Sequence, residues 1–222
     1  MKTVALVCQK GGTGKTTLAL SLAVEAVRSG LSVVVVDLDP QVSACEWGDM
    51  RRSRERSSEA PVVVDAQPAR LGGVVAKAQE AGVDLLVIDT GGRTEQAAMA
   101  AARAADLVLV PLQPSVIDLK TVKATADLIA LAGAPERVAV LMRVKASAGA
   151  RHDETRAWLE RQGMPVCPVA VGDRVTFQDA YAQGLGVTEY EPAGKAAAEI
   201  RQVYLHISII VGLHTGREGG NV

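Results

Sequence analysis

Short, unbroken apolar runs alternate along the chain with longer stretches in which alanine and leucine recur at helical spacing. The runs cover 3–8, 32–37, 62–65, 84–89, 106–111, 137–143 and 165–169. Continuous Val, Leu and Ile without polar alternation predicts strands buried on both faces. The stretches between them predict helices over 15–29, 68–81, 94–105, 116–131, 152–162 and 174–183, with a last one over 193–206 and a turn of helix at 42–47. Strand–helix alternation of this kind predicts an α/β fold: a doubly wound, mostly parallel sheet with helices on both faces. Ligands in that architecture bind beyond the carboxyl ends of the strands, so the residues just past each run are the candidates for chemistry.

Composition narrows the picture. A length of 222 residues suits one domain, taken as 1–206, followed by a C-terminal tail over 207–222 whose polar, glycine-rich end is expected to fray. Apolar residues make up 48% and aromatics only 3%, so the core must be aliphatic. The formal net charge of −1 excludes a globally basic surface, and any nucleic-acid contact has to come from a local patch. Cys8, Cys45 and Cys167 have no metal-ligand spacing, and an odd count without a pairing pattern fits a reducing cytoplasm. The apolar N-terminus enters a glycine loop instead of a cleavage site, and no apolar run reaches the ~18 residues a membrane span requires. His152, His206 and His214 lie outside every motif and are expected at the surface. The arginine-rich run 51–56 reads as a solvated face, with a partner or phosphate contact as the sharper alternative.

The chemistry begins after the first run. Residues 9–17 read Gln-Lys-Gly-Gly-Thr-Gly-Lys-Thr-Thr between a predicted strand and a predicted helix. Gly11, Gly12 and Gly14, with Thr13, let the loop curl so that backbone N–H groups converge on phosphate, and the next helix adds its N-terminal dipole. Lys15 can reach the β and γ phosphates; the Thr16 hydroxyl is placed for Mg²⁺, with Thr17 beside it. Gln9 stands where the general phosphate-loop pattern has its first glycine, and the tighter KGGxGK[ST]T form carries a second lysine, Lys10. This segment resembles the ParA/MinD family of deviant Walker A P-loop ATPases. The resemblance implies ATP and Mg²⁺ as cofactors, and a Lys10 that reaches across a sandwich homodimer to the partner subunit's nucleotide.

The second run ends Asp37-Leu38-Asp39-Pro40-Gln41, putting two carboxylates on one side of the chain just past a strand end. Near phosphates such a pair suits a cation or an attacking water. By the resemblance, Asp39 positions that water while Asp37 supports Mg²⁺ and the lysine network; a helix cap is the plainer use of Asp39. The fourth run closes on Asp89, which matches a Walker B strand whose carboxylate holds the Mg²⁺ hydration shell. All these carboxylates are expected to act on the cation through water. Gly91-Gly92-Arg93 then departs from the proline-containing sequence common in the family.

Residues 111–119, with Pro111 and Pro114, resemble the proline-rich motif of small ParF-like plasmid and chromosome partition ATPases. In that branch it lies near the nucleotide and the dimer face. Arg143, closing the sixth run, is the matching candidate for contact with the base. The resemblance spans about 2–205 and implies a slow, partner-stimulated ATPase that moves a plasmid, chromosome or other cargo. Its implied partners are a second copy of the chain, with filaments left open, and a small centromere-binding or adaptor protein. Nonspecific DNA is the third, which would make the ATP-bound form nucleoid-associated in the cytoplasm. The chain is expected to lack the N-terminal DNA-reading helices of longer partition ATPases, so contact falls to basic side chains on phosphate, with Arg143, Lys145, Arg174, Lys195 and Arg201 as candidates. A MinD-like membrane-cycling regulator is the alternative. It would need a basic amphipathic C-terminal helix, and the apolar 207–213 is flanked only by Arg201, Arg217 and Glu218, so no membrane partner is expected.

Overall fold

The structure is a computed structural model describing residues 1–54, 60–92, 94–114, 116–133, 136–145 and 149–213, with backbone alone for 116–120 and 149–151. The end of the arginine-rich run, Arg93 and the tail beyond Leu213 therefore lie outside the described residues. So do Ser115 and the side chains that come after it in the proline-rich motif.

Strands β1 (Lys2–Leu6), β2 (Val33–Asp37), β3 (Val62–Asp65), β4 (Leu85–Asp89), β5 (Leu107–Leu112) and β6 (Glu136–Leu141) form one sheet in the order β3-β2-β4-β1-β5-β6. Every pairing is parallel. Between them run α1 (Lys15–Arg28), α2 (Ser43–Arg52), α3 (Leu71–Glu80), α4 (Glu95–Ala104), α5 (Val116–Ala132), α6 (Gly149–Arg161), α7 (Thr176–Tyr181), α8 (Val187–Tyr190) and α9 (Lys195–Val211).

The continuous apolar runs have a simple physical account. Alternate side chains of each strand enter opposite layers: Val4 and Leu6 of β1 pack with α1 and α9, while Ala5 faces the α4 side. Leu85 and Val87 against Leu86 and Ile88 repeat this in β4, as do Leu107 and Leu109 against Val108 and Val110 in β5. Each Val, Leu or Ile so buried contributes about 1.5–3 kcal/mol relative to exposure, and a polar residue at any of these positions would forfeit it.

Several elements differ from expectation, among them the short α8, which no expected helix covers. The run at 165–169 is not a strand: it touches β6 through an isolated bridge, Ala139 to Val166. Ala139 N–H donates to Pro165 O and Cys167 N–H to Ala139 O, but Pro165 and Pro168 have no N–H with which to extend the ladder. The turn of helix expected at 42–47 is the start of α2, which continues to Arg52. The last helix runs beyond 206 to Val211, with Ile207 and Val211 buried in the core against α1.

Candidate functional site

The carboxyl ends of β1, β2 and β4 open on one cleft of about 730 Å³, within the range of small-molecule sites. Gly11, Gly12, Gly14, Lys15, Thr16 and Thr17 line one side of it. Gly14 caps α1 at φ 96°, a left-handed conformation, and a Cβ there would lie 3.2 Å from Met142 Cε. Dihedral and space both call for glycine. With no side-chain cap on α1, its first N–H groups face the cleft, an arrangement suited to an anion.

Beneath the loop, Thr16 Oγ1 donates to Asp89 Oδ2 at 2.6 Å. Asp89 Oδ1 is fully buried and has no hydrogen-bond partner among the described residues. Burial lifts the Asp89 carboxyl to about 7, against the Thr16 hydrogen bond that lowers it, and the neighbouring Asp37 adds to the rise. An unsatisfied buried carboxylate oxygen beside a hydroxyl is a donor set that fits a hard cation. Among the described residues no group of His, Cys, Asp and Glu cages a metal unaided. That suits Mg²⁺, which is held by one or two protein oxygens together with phosphate and water. Lys15 is buried and its Nζ donates to the Lys10 carbonyl at 2.8 Å, so the two lysines meet through Lys10's backbone.

Asp37, beside Asp89 in the sheet, is held by backbone donors. Its Oδ1 accepts from Asp39 N–H at 2.9 Å, and its Oδ2 accepts from Ala44 N–H at 2.9 Å and Cys45 N–H at 3.3 Å. The helix-capping role considered for Asp39 thus belongs to Asp37, which satisfies N–H groups in the first turn of α2. Asp39 lines the cleft, its Oδ1 accepting from Gln41 N–H at 3.0 Å.

The departure at Gly91-Gly92 is explained by contact. A Cβ on Gly92 would lie 2.6 Å from Gly11 N and the Lys10 carbonyl carbon, and one on Gly91 would lie 3.1 Å from the Asp39 carboxylate. The strand end after Asp89 therefore presses directly on the phosphate loop and on Asp39. Thr90 fixes that approach by donating its hydroxyl to Leu6 O at 2.7 Å.

Pro111 belongs to the strand that the run 106–111 predicts. It is buried in β5 opposite Val140, and neither it nor Pro114 lines the cleft. Leu109 O accepts from Val7 N–H, so the alternating strand turns the ring nitrogen of Pro111 to the β1 side, beyond the last paired residue. The proline-rich segment touches the phosphate loop just before its second proline, through Gln113, whose Nε2 donates to Gly12 O at 2.9 Å.

The far wall of the cleft comprises Met142, Arg143, Gly172, Arg174, Phe177 and Gln178, with Val171 and Asp173. Arg143 sits at φ 53° and its Nε donates to Asp173 Oδ1 at 3.2 Å. Of this wall, sequence reasoning singled out Arg143 for the cleft and missed Met142, Phe177 and Gln178; the chain's one Phe was the signal available. Of the proposed DNA contacts, Arg143 and Arg174 line the cleft, and Arg174 pairs with Glu199. Arg201 Nε lies 3.8 Å from Glu25 Oε1, and Lys145 and Lys195 are exposed.

Parallel sheet, phosphate loop and buried Thr–Asp pair define a P-loop nucleotide-binding protein. The match of residues 4–187 to the CobQ/CobB/MinD/ParA nucleotide binding domain makes it specific: the chain belongs to that family. It is 29% identical over 208 residues to a maintenance of carboxysome distribution protein A of Gloeobacter kilaueensis, covering 93% of this chain and 92% of the relative. It is 30% identical over 175 residues to the chromosome-partitioning ATPase Soj of Thermus thermophilus, covering 68% and 66%. Among solved structures, the septum site-determining protein MinD of Pyrococcus horikoshii with Mg-ADP superposes at TM-score 0.76 and 16% identity, over 98% of this chain and 99% of that one. A Cyanothece McdA variant in complex with ATP superposes at 0.74 and 17%, over 98% and 99%. At those identities the likeness speaks for the fold.

Proposed function

We propose that this chain is a Mg²⁺-dependent ATPase that dimerises on binding ATP, holds duplex DNA without sequence preference as a dimer, and positions a cargo by that cycle. Hydrolysis is slow until an adaptor protein stimulates it. The observation that carries the ATPase reading is the buried Thr16–Asp89 pair beneath the phosphate loop, whose unsatisfied Oδ1 asks for a cation. Thr16 and Asp89 would hold Mg²⁺, which neutralises charge on the β and γ phosphates. Lys15 adds a second positive charge, and the backbone N–H groups of 11–16 orient the triphosphate. Asp39, level with Gly91 at the open side, orients water for attack. Asp37 holds the loop that carries Asp39. Relatives named for carboxysome distribution and for chromosome partitioning support cargo positioning, with the cargo itself drawn from that range.

The test separates the two lysines. Lys15→Ala should weaken ATP binding on the order of 10²-fold, since the phosphates lose their main neutralising side chain. Lys10→Ala keeps the carbonyl that Lys15 Nζ uses, so monomer binding should persist while the ATP-dependent dimer disappears. Titration with labelled ATP and light scattering with ATP, ADP and EDTA decide it. A normal dimer from Lys10→Ala would overturn the role of Lys10 across the dimer.

A further inference from the structure

The wall opposite the phosphate loop hangs between two supports. On one side the 171–173 segment is zipped to the extension of β6: Val171 N–H donates to Leu141 O, Val144 N–H to Val171 O, and Asp173 N–H to Val144 O. On the other it is held by a single side chain from α9. Glu199 Oε2 accepts from Gly172 N–H at 2.9 Å and from Arg174 Nε at 3.4 Å, and Oε1 accepts from Arg174 Nη2. The guanidinium so fixed lies flat on Gly172: a Cβ there would be 3.0 Å from Arg174 Cζ and Nη2. Glu199 itself is not among the residues lining the cleft.

We propose that Glu199 is a positioning residue for the nucleoside half of the ligand, acting through Gly172 and Arg174 to fix the wall against which the base rests. This rests on the nucleotide reading of the cleft. The phosphates belong at the glycine loop and the acidic pair beside Gly91, so the nucleoside must take the remaining end of the cleft, between Met142 and Gln178. Met142 and Val171 are buried at that end, and Arg143 is held there by Asp173. Arg174, whose charge is committed to Glu199, presents a planar, immobilised surface there, and immobilising it before binding lowers the ordering cost of the complex. Arg174 is accordingly a part of the nucleotide site and not a phosphate-binding cation for DNA. Glu199 lies on the helix that packs on α1, so the two ends of the cleft are set by one pair of packed helices.

The experiment compares ATP with inorganic tripolyphosphate, which occupies the phosphate loop and has no nucleoside. Glu199→Ala should weaken ATP about tenfold, raising KM by that factor with kcat within about twofold, and leave tripolyphosphate affinity unchanged. Glu199→Gln retains an acceptor for Gly172 N–H while losing the charge on Arg174; its loss for ATP should be about threefold, and it carries the test should the alanine variant not fold. ATP affinity equal to wild type in both variants overturns the proposal, as does an equal loss for ATP and tripolyphosphate, which would mark a general defect. Wild-type protein that binds neither ligand overturns the nucleotide reading itself, and the role of Glu199 falls with it.

Discussion

Asp37 and Asp39 stand two positions apart at one strand end, yet the fold gives their carboxylates different work. Asp37 is buried, and its two oxygens take backbone N–H groups of Asp39, Ala44 and Cys45. Burial raises its pKa, and those backbone hydrogen bonds oppose the rise. Asp39 keeps its carboxylate at the cleft wall, where only Gln41 N–H bonds it among the described hydrogen bonds. Asp39→Ala should therefore keep ATP and Mg²⁺ binding while single-turnover hydrolysis falls by about 10²-fold or more, the usual loss of a water-orienting group. Hydrolysis at the wild-type rate would reduce Asp39 to the turn it makes with Gln41. The acidic pair and the phosphate loop were legible because their spelling is local: a strand, a few glycines, a lysine and a threonine. The division of labour between the two aspartates was not, because it depends on where α2 begins. Likewise Gly91 and Gly92 read as a departure from a familiar sequence until their contacts with Asp39 and the phosphate-loop backbone supplied the reason.

Six of the seven apolar runs are the strands of the sheet, since a strand buried within a parallel sheet has to be continuously apolar; the seventh, 165–169, makes one isolated bridge to β6. What local pattern misses is pairing between distant segments. Arg51 opens an arginine-rich stretch that reads as solvated, yet its side chain is only 2% exposed. It donates to both oxygens of Glu189, at 2.8 and 2.7 Å, and to the carbonyls of Gly184 and Ala60, with its guanidinium 5.2 Å from the Trp47 ring centroid. Together with Tyr181 Oη on Ser43 O and Trp47 Nε1 on Leu185 O, this bolts α2 to the α7–α8 segment. Burial pushes Glu189 up, but the Arg51 hydrogen bonds, the Gly186 N–H and the Arg51 charge outweigh it and hold the carboxyl below its ordinary value. A lowered native value means that the stabilisation is fully present above the unfolded carboxylate range and is lost as pH falls through the native one. Arg51→Met, which strands the Glu189 charge, should cost ~3–5 kcal/mol at neutral pH. Urea unfolding from pH 7 down to pH 3 should show the gap between variant and wild type closing in acid. A gap that stays constant across that range would assign the loss to packing alone.

For the molecule as a whole, the question is how a chain of formal net charge −1 would hold a polyanion. Of the candidate cations, Lys145 and Lys195 are exposed, whereas Arg143 and Arg174 pair with Asp173 and Glu199 at the cleft and Arg201 lies 3.8 Å from Glu25. The proposed dimer would align two such patches along one DNA backbone. Because affinity falls with salt at a slope of about −0.9Z for Z neutralised phosphates, doubling the patch steepens the salt dependence as well as the binding. ATP, and not ADP, should therefore promote binding to duplexes of unrelated sequence, with a slope near twice that of whatever residual binding the nucleotide-free protein shows. Lys195→Glu or Lys145→Glu should weaken every sequence equally, since contacts to phosphate carry no sequence information, and leave ATP affinity at the wild-type value. Gel shifts across a salt series with ATP, ADP and no nucleotide measure all of this at once. Binding indifferent to nucleotide would detach DNA from the switch, and none at low salt would leave a cycle that acts on cargo and adaptor alone.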